Sequence, residues 1–155
     1  MRAFFPLLFL FFSACSEPSN YFSLQVREDS FSNIDTTTPF NISDIESAFL
    51  GFSVQKIHSV HANENQSLIL VRKNAVNVAY IYPDNESENI AYIEIVHPYV
   101  KTSKGLHVGM KLEEVKKKIS LTCKDVLTCK EEGPSNLEYI FTKEEKLEYI
   151  VLTLK

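Results

Sequence analysis

Few side chains in this 155-residue chain have the type and spacing for chemistry: four histidines, three cysteines and one well-placed aspartate. His58 and His61 stand three apart on a strand-like stretch, which sends them to opposite faces and prevents them from chelating together. His97 and His107 flank a turn-rich connector, and with Asp84 from an upstream polar loop they offer the donor types of a transition-metal site. Two imidazoles and one carboxylate on separate segments are a thin signal, and turn or surface hydrogen bonding accounts for all three. Asp84, His97 and His107 therefore stand as a candidate functional surface, with no metal and no catalytic role assigned. The chain contains no Gly-x-Ser-x-Gly, no Gly-x-Gly-x-x-Gly, no phosphate loop and no His-Glu-x-x-His. The expectation is a protein that is not an enzyme and holds no cofactor.

The third cysteine leads to the N-terminus, where Arg2 precedes an apolar run that ends in Ser13, Ala14 and Cys15. A positive residue, a short apolar core and small residues outline a secretory signal peptide, and the run falls short of the ~20 apolar residues of a spanning helix. Phe12-Ser13-Ala14-Cys15 resembles the lipobox of bacterial lipoproteins, with Phe12 where Leu is more usual. That resemblance implies that residues 1–14 are a signal peptide that is removed, and that Cys15 receives diacylglycerol and a further acyl chain such as palmitate. Residues 15–20 are then the lipidated cysteine and a tether. Each buried CH₂ contributes ~0.8 kcal/mol, so two or more chains anchor a protein stably where one does not. Ser16, in place of Asp, resembles the sorting pattern for the outer membrane, with the domain facing the periplasm.

A formal charge of -4, with 16 basic against 20 acidic residues, speaks against nucleic acid as a partner. Hydrophobic content of 45% beside 23% charge is that of a chain that folds. With Cys15 set aside, Cys123 and Cys129 remain as a pair. In an exported protein the compartment is oxidising, so this spacing reads first as a disulfide.

These side chains need a scaffold, and the length suits one domain, residues 21–155. Period-two alternation predicts strands over 21–27, 53–61, 67–72, 76–82, 90–96, 137–142 and 147–154. Residues 30–38, rich in Ser, Asn and Thr, read as a loop. A short helix is expected over 41–51, with a capping box from Ser43 to Glu46, inward Ile42, Ile45 and Phe49, and Gly51 as its stop. A second helix follows Gly109, presenting Met110, Leu112, Val115 and Ile119 on one face. The class is α+β, a predominantly antiparallel sheet with two short helices. Ala79-Tyr80-Ile81 and Ala91-Tyr92-Ile93 are echoed by Glu138-Tyr139-Ile140 and Glu148-Tyr149-Ile150 at offsets of 59 and 57 residues. The echo raises a twofold repeat of α-β-β-β units, each a helix with three or more strands.

Around the connector, residues 93–118, a family pattern becomes visible. Tyr82-Pro83-Asp84, then His97-Pro98, Thr102, Gly105 and His107-Val108-Gly109, with the two cysteines and a Tyr-Ile-Phe strand downstream, resemble the RpoE-regulated lipoprotein family. That family is a domain of unknown function from bacterial outer membranes, and the resemblance runs from about Ile42 to the C-terminus. The cysteine spacing is shorter here and the last strand departs from the pattern. The resemblance implies a compact α+β envelope lipoprotein of unassigned activity, and it carries over no catalytic residues. The function expected is that of a lipid-anchored binding or envelope-stress-related module, with the membrane and an envelope protein as partners. The alternatives are a periplasmic inhibitor or ligand-binding protein acting through loops 63–66 and 84–88, and a metal-dependent hydrolase using His97 and His107.

Overall fold

A computed structural model describes residues 24–61, 64–125 and 127–154. The expected signal peptide, Cys15 and the expected tether lie outside the described residues, as does the start of the strand expected over 21–27. In order, the elements are β1 (Gln25–Val26), α1 (Ile42–Ala48), β2 (Ser53–His61), β3 (Glu64–Lys73), β4 (Val76–Pro83), β5 (Ile90–Ile95), β6 (Lys101–Thr102), α2 (Leu112–Lys116), β7 (Leu121–Cys123), β8 (Thr128–Glu131), β9 (Leu137–Phe141) and β10 (Leu147–Thr153). The expected α+β class, mainly antiparallel sheet with two short helices, is what forms.

Two antiparallel meanders build one eight-stranded sheet in the order β2-β3-β4-β5-β10-β9-β8-β7. Tight turns fold each meander. The β3–β4 turn places Asn74 and Ala75 at φ of 50° and 64°, the paired positive values that a two-residue hairpin turn of the favoured hand requires. The meanders join in the middle, where β5 pairs with β10 and Ile95 faces Ile150. Each half is one helix followed by four strands, so the repeat unit has one strand more than the α-β-β-β unit. The offset of 57 holds between β5 and β10, where Tyr92 and Tyr149 share the outer face. Between β4 and β9 the echo slips by one residue: Ile81 and Tyr139 both face the core, while Tyr80 faces out. A one-residue slip exchanges the faces of a strand.

The inner face is a grid of aliphatic side chains. One row runs Ile69, Ile81, Ile93, Leu152 and Leu137; the next runs Val71, Ala79, Ile95, Ile150, Tyr139 and Cys129. Onto them pack Ile45 and Phe49 at α1 and Leu112, Val115 and Ile119 around α2. The segment expected to be a simple loop adds to this core, because Phe31 and Ile34 are fully buried and the Phe31 ring meets that of Phe49 edge-on at 5.2 Å. Two details of α1 differ from expectation. Asn41, not Ser43, caps α1 by accepting the Asp44 N–H at 2.9 Å, and Ile42 stays exposed.

The connector is stitched to the second meander. Gly109 N donates to Leu147 O at 2.7 Å, and Leu147 N donates back to Met110 O at 2.8 Å. Thr102, buried, accepts the Leu106 N–H on its hydroxyl at 3.0 Å. Val26 and Thr102 pair in parallel, so the chain before α1 is laid along the connector.

Candidate functional site on the open sheet face

Alternation that sends the aliphatic rows inward sends a different set outward. On β4 these are Asn77, Tyr80 and Tyr82; on β5, Tyr92 and Glu94; on β10, Tyr149, Val151 and Thr153. On β3, Leu68 and Leu70 extend the same face and are nearly covered by their neighbours. A solvated sheet face is ordinarily polar. This one carries phenol rings and aliphatic groups around Glu94, with the Lys130–Glu138 ion pair and Arg72 toward its sides.

Tyr82 and Tyr92 are direct partners across β4 and β5, and their rings stack with centroids 4.3 Å apart and planes 14° apart. The Tyr82 hydroxyl donates to Glu94 Oε2 at 2.9 Å. Glu94 lies directly opposite Tyr80 on one side and Val151 on the other, and Asn77 Nδ2 donates to the Tyr80 hydroxyl at 2.7 Å. Burial, then the Glu94 charge, pushes the Tyr82 hydroxyl above the ordinary tyrosine range. The same two causes, in the same order, raise Tyr92 and Tyr149. Glu94 is thus electrostatically felt at three rings.

Beside the tyrosines the face dips into an open concavity of about 660 Å³, lined among others by Arg72, Asn77, Tyr80, His97, Glu148 and Tyr149. Arg72 Nη2 donates to Ala75 O at 2.8 Å, and its Nε is buried with no hydrogen-bond partner. His97 sits where β5 ends, its Nδ1 accepting the Tyr99 N–H at 3.2 Å and its ring edge-on to Tyr99 at 4.8 Å. Desolvation lowers its pKa, which favours the neutral ring.

The three residues read as a candidate surface are not gathered together. Asp84 lies past the far end of β4 from His97, about seven residues or roughly 23 Å along the sheet. Its carboxylate is used in its own loop, accepting from Glu86 N at 3.2 Å and Ser87 Oγ at 3.0 Å. His107 is in the connector, where its Nδ1 lies 2.9 Å from Val108 O. Only His97 borders the open face. Among the described residues no group of three or more His, Cys, Asp or Glu side chains is assembled for a metal ion. His58 lies 3.0 Å from Ser67 Oγ across β2 and β3.

Cys123 and Cys129 form a disulfide between directly opposed positions of β7 and β8. Cys129 belongs to the core and Cys123 is exposed. Asp125 organises the intervening turn by accepting from Leu127 N at 2.8 Å and Thr128 N at 2.7 Å. Those two backbone donors hold its carboxyl below the usual carboxylate range.

The fold is similar to the crystal structure of the uncharacterized protein YfeY from Escherichia coli, with a TM-score of 0.65 and 16% identity over 83% of this chain and 99% of that one. At that identity the likeness is one of fold. No protein-family model matches the sequence, and no curated protein matches it.

The tyrosines escaped the sequence reading because a Tyr-Ile pair fits any half-buried strand. A signal was nevertheless present: in 79–82 and 91–94 the residue alternating with the aliphatic one is Tyr or Glu rather than Ser, Thr or Lys.

Proposed function

We propose that this chain is a lipoprotein of the bacterial cell envelope, akin to the RpoE-regulated lipoproteins, anchored through Cys15 to the periplasmic side of the outer membrane. It acts without catalysis, as a binding module whose open sheet face takes another envelope protein. One observation carries the binding reading: Tyr80, Tyr82, Tyr92 and Tyr149 surround Glu94 on a face that neither helix covers. Tyrosine-rich patches with an apolar body and a polar tip are the composition of protein interfaces. A broad open face also suits association better than turnover, since reacting groups there would stay in contact with bulk water. The alternative of an inhibitor or ligand-binding protein acting through loops expected over 63–66 and 84–88 is served less well, because residues 64–66 belong to β3 and the Asp84 carboxylate accepts hydrogen bonds inside its own loop.

Two measurements test this reading. Metabolic labelling with an alkyne palmitate analogue is expected to label the wild type and not Cys15→Ser; an unlabelled wild type overturns the anchor. A photo-crosslinking residue at position 92 is expected to yield a discrete adduct in cells, absent when the same residue is at position 46 on α1. Equal crosslinking from both positions overturns the binding face.

A further inference from the structure

The two edges of the eight-stranded sheet are built differently. β7 is three residues long, its Cys123 is tied to Cys129 of β8, and Thr122 Oγ1 donates to Glu132 Oε1 at 3.1 Å. β2, at the other edge, is nine residues long and pairs with β3 in unbroken register from Ser53–Arg72 to His61–Glu64. Among the described residues no strand lies on its outer side. In an antiparallel pair every second residue turns its N–H and C=O away from the neighbouring strand. β2 therefore presents a row of backbone donors and acceptors to solvent. Short length, proline and bulges are the usual protections of an edge against strand addition. β7 has the first, and β2 has none of the three.

What β2 does carry is charge of one sign. Its sequence, Ser-Val-Gln-Lys-Ile-His-Ser-Val-His, holds Lys56 and two histidines and no Asp or Glu, in a chain whose acids outnumber its lysines and arginines 20 to 16. Lys56 is exposed and forms no ion pair with any described residue; its Nζ lies 5.8 Å from the centroid of the Phe40 ring. His58, two residues on and on the same face, is exposed as well. Val54 and Ile57 are half-buried beside Val71 and Leu68 of β3.

We propose that β2 is a docking edge for an extended acidic strand of another protein, which adds antiparallel to the sheet and sets carboxylates opposite Lys56 and His58. The backbone row supplies affinity, and the side chains at alternate positions supply selection. The position opposite Ile57 falls on the outer face in line with Leu68, where an aliphatic residue extends the apolar row. A second copy of the chain fits less well. Laid antiparallel along the whole of β2, it sets each Lys56 opposite the other copy's His58, so neither lysine gains a carboxylate and basic groups face one another. Lys56 thus works in two directions, against self-pairing and toward an acidic partner. The edge is two strands away from Tyr80 and Tyr82 on β4, and docking there does not depend on the tyrosine face.

The test uses the mature full-length protein in detergent micelles and two capped peptides, Thr-Glu-Val-Glu-Thr-Val-Thr and Thr-Lys-Val-Lys-Thr-Val-Thr, read by amide hydrogen exchange. The acidic peptide is expected to protect every second amide of β2 saturably and to leave the β7 amides unchanged. It is expected to bind about fivefold more tightly than the basic one, the scale of one directly opposed charge pair. Lys56→Glu changes an exposed side chain and leaves the β2–β3 ladder in place; it is expected to reverse the order of the two peptides. Equal protection by both peptides in wild type, or an unchanged order in Lys56→Glu, overturns the acidic-strand reading. So does the absence of protection by either peptide. Protection of β2 amides in peptide-free wild type that grows with protein concentration overturns it too, because the edge is then filled by a second copy.

Discussion

Tyr82 and Tyr92 stack ring on ring across β4 and β5, 4.3 Å between centroids, on the side of the sheet that the helices leave open. Tyr82 is nearly buried in that pair, and Tyr92 covers it while staying half exposed.

Removing the cover exposes a ring that was shielded. Tyr92→Ala should lower stability in urea denaturation by more than loss of its own area, the stacking adding about 0.5–1.5 kcal/mol. Tyr92→Phe keeps the ring and should leave the midpoint nearly unchanged. Equal effects of the two substitutions would show that the stack contributes nothing.

On the alkaline side the tyrosines set the pH dependence. Burial first and Glu94 second hold Tyr82 protonated well above the ordinary value of about 10. The unfolded chain therefore releases this proton before the folded one does, and stability contributed by Tyr82 is present below pH ~10 and is lost as pH rises from there toward the folded pKa. Denaturation midpoints measured from pH 9 upward should fall less steeply in Tyr82→Phe than in wild type.

His97 acts on the acid side with its own sign. Its pKa is lowered in the fold by desolvation, so the unfolded chain takes up the proton first. Stability from the neutral ring is complete above pH ~6.5 and declines as pH falls through the depressed value. Arg72, Glu148 and Tyr149 border the same concavity and stay in place in His97→Gln. That variant should lose less stability between pH 7 and pH 5, as read by thermal denaturation.

The disulfide should be worth a modest amount because its loop is short. For a sequence separation of 6 residues, chain-entropy loss in the unfolded state corresponds to about 2 kcal/mol. Cys123→Ala combined with Cys129→Ala should lower the guanidinium unfolding free energy by that order, somewhat more if the core position of Cys129 fails to close around the smaller side chain. No change on reduction would place the hairpin's stability wholly in its turn and its pairing.

Much of the scaffold was legible because its signals are local. Strands β2 to β5, β9 and β10 carry period-two alternation, Asn74-Ala75 sits where a hairpin must turn, and Cys123 and Cys129 are close enough in sequence to meet across one turn. The α1 cap fell on Asn41 because the backbone enters the helix two residues earlier than the Ser43–Glu46 pattern implies. Phe31 and Ile34 read as loop because Ser, Asn and Thr surround them, yet the chain before α1 is pinned along the connector and delivers both into the core. Asp84, His97 and His107 were chosen by donor type, and donor type holds no information about which end of a strand faces which.

The sequence by itself determined the α+β class, the first meander, the closing β9–β10 hairpin, the inward residues of both helices apart from Ile42, and the cysteine pair, since each follows from neighbours within a dozen residues. β7 and β8, which complete the second meander, were not among the expected strands. The tertiary structure alone decided that β5 meets β10, that both helices fall on one side, and that Glu94 is ringed by tyrosines from β4, β5 and β10. The physical reason lies in tyrosine itself, whose apolar ring and polar tip suit a buried or a solvated face equally. Tyr139 inside and Tyr149 outside have the same local sequence, Glu-Tyr-Ile, and only the register of pairing across the whole sheet separates them.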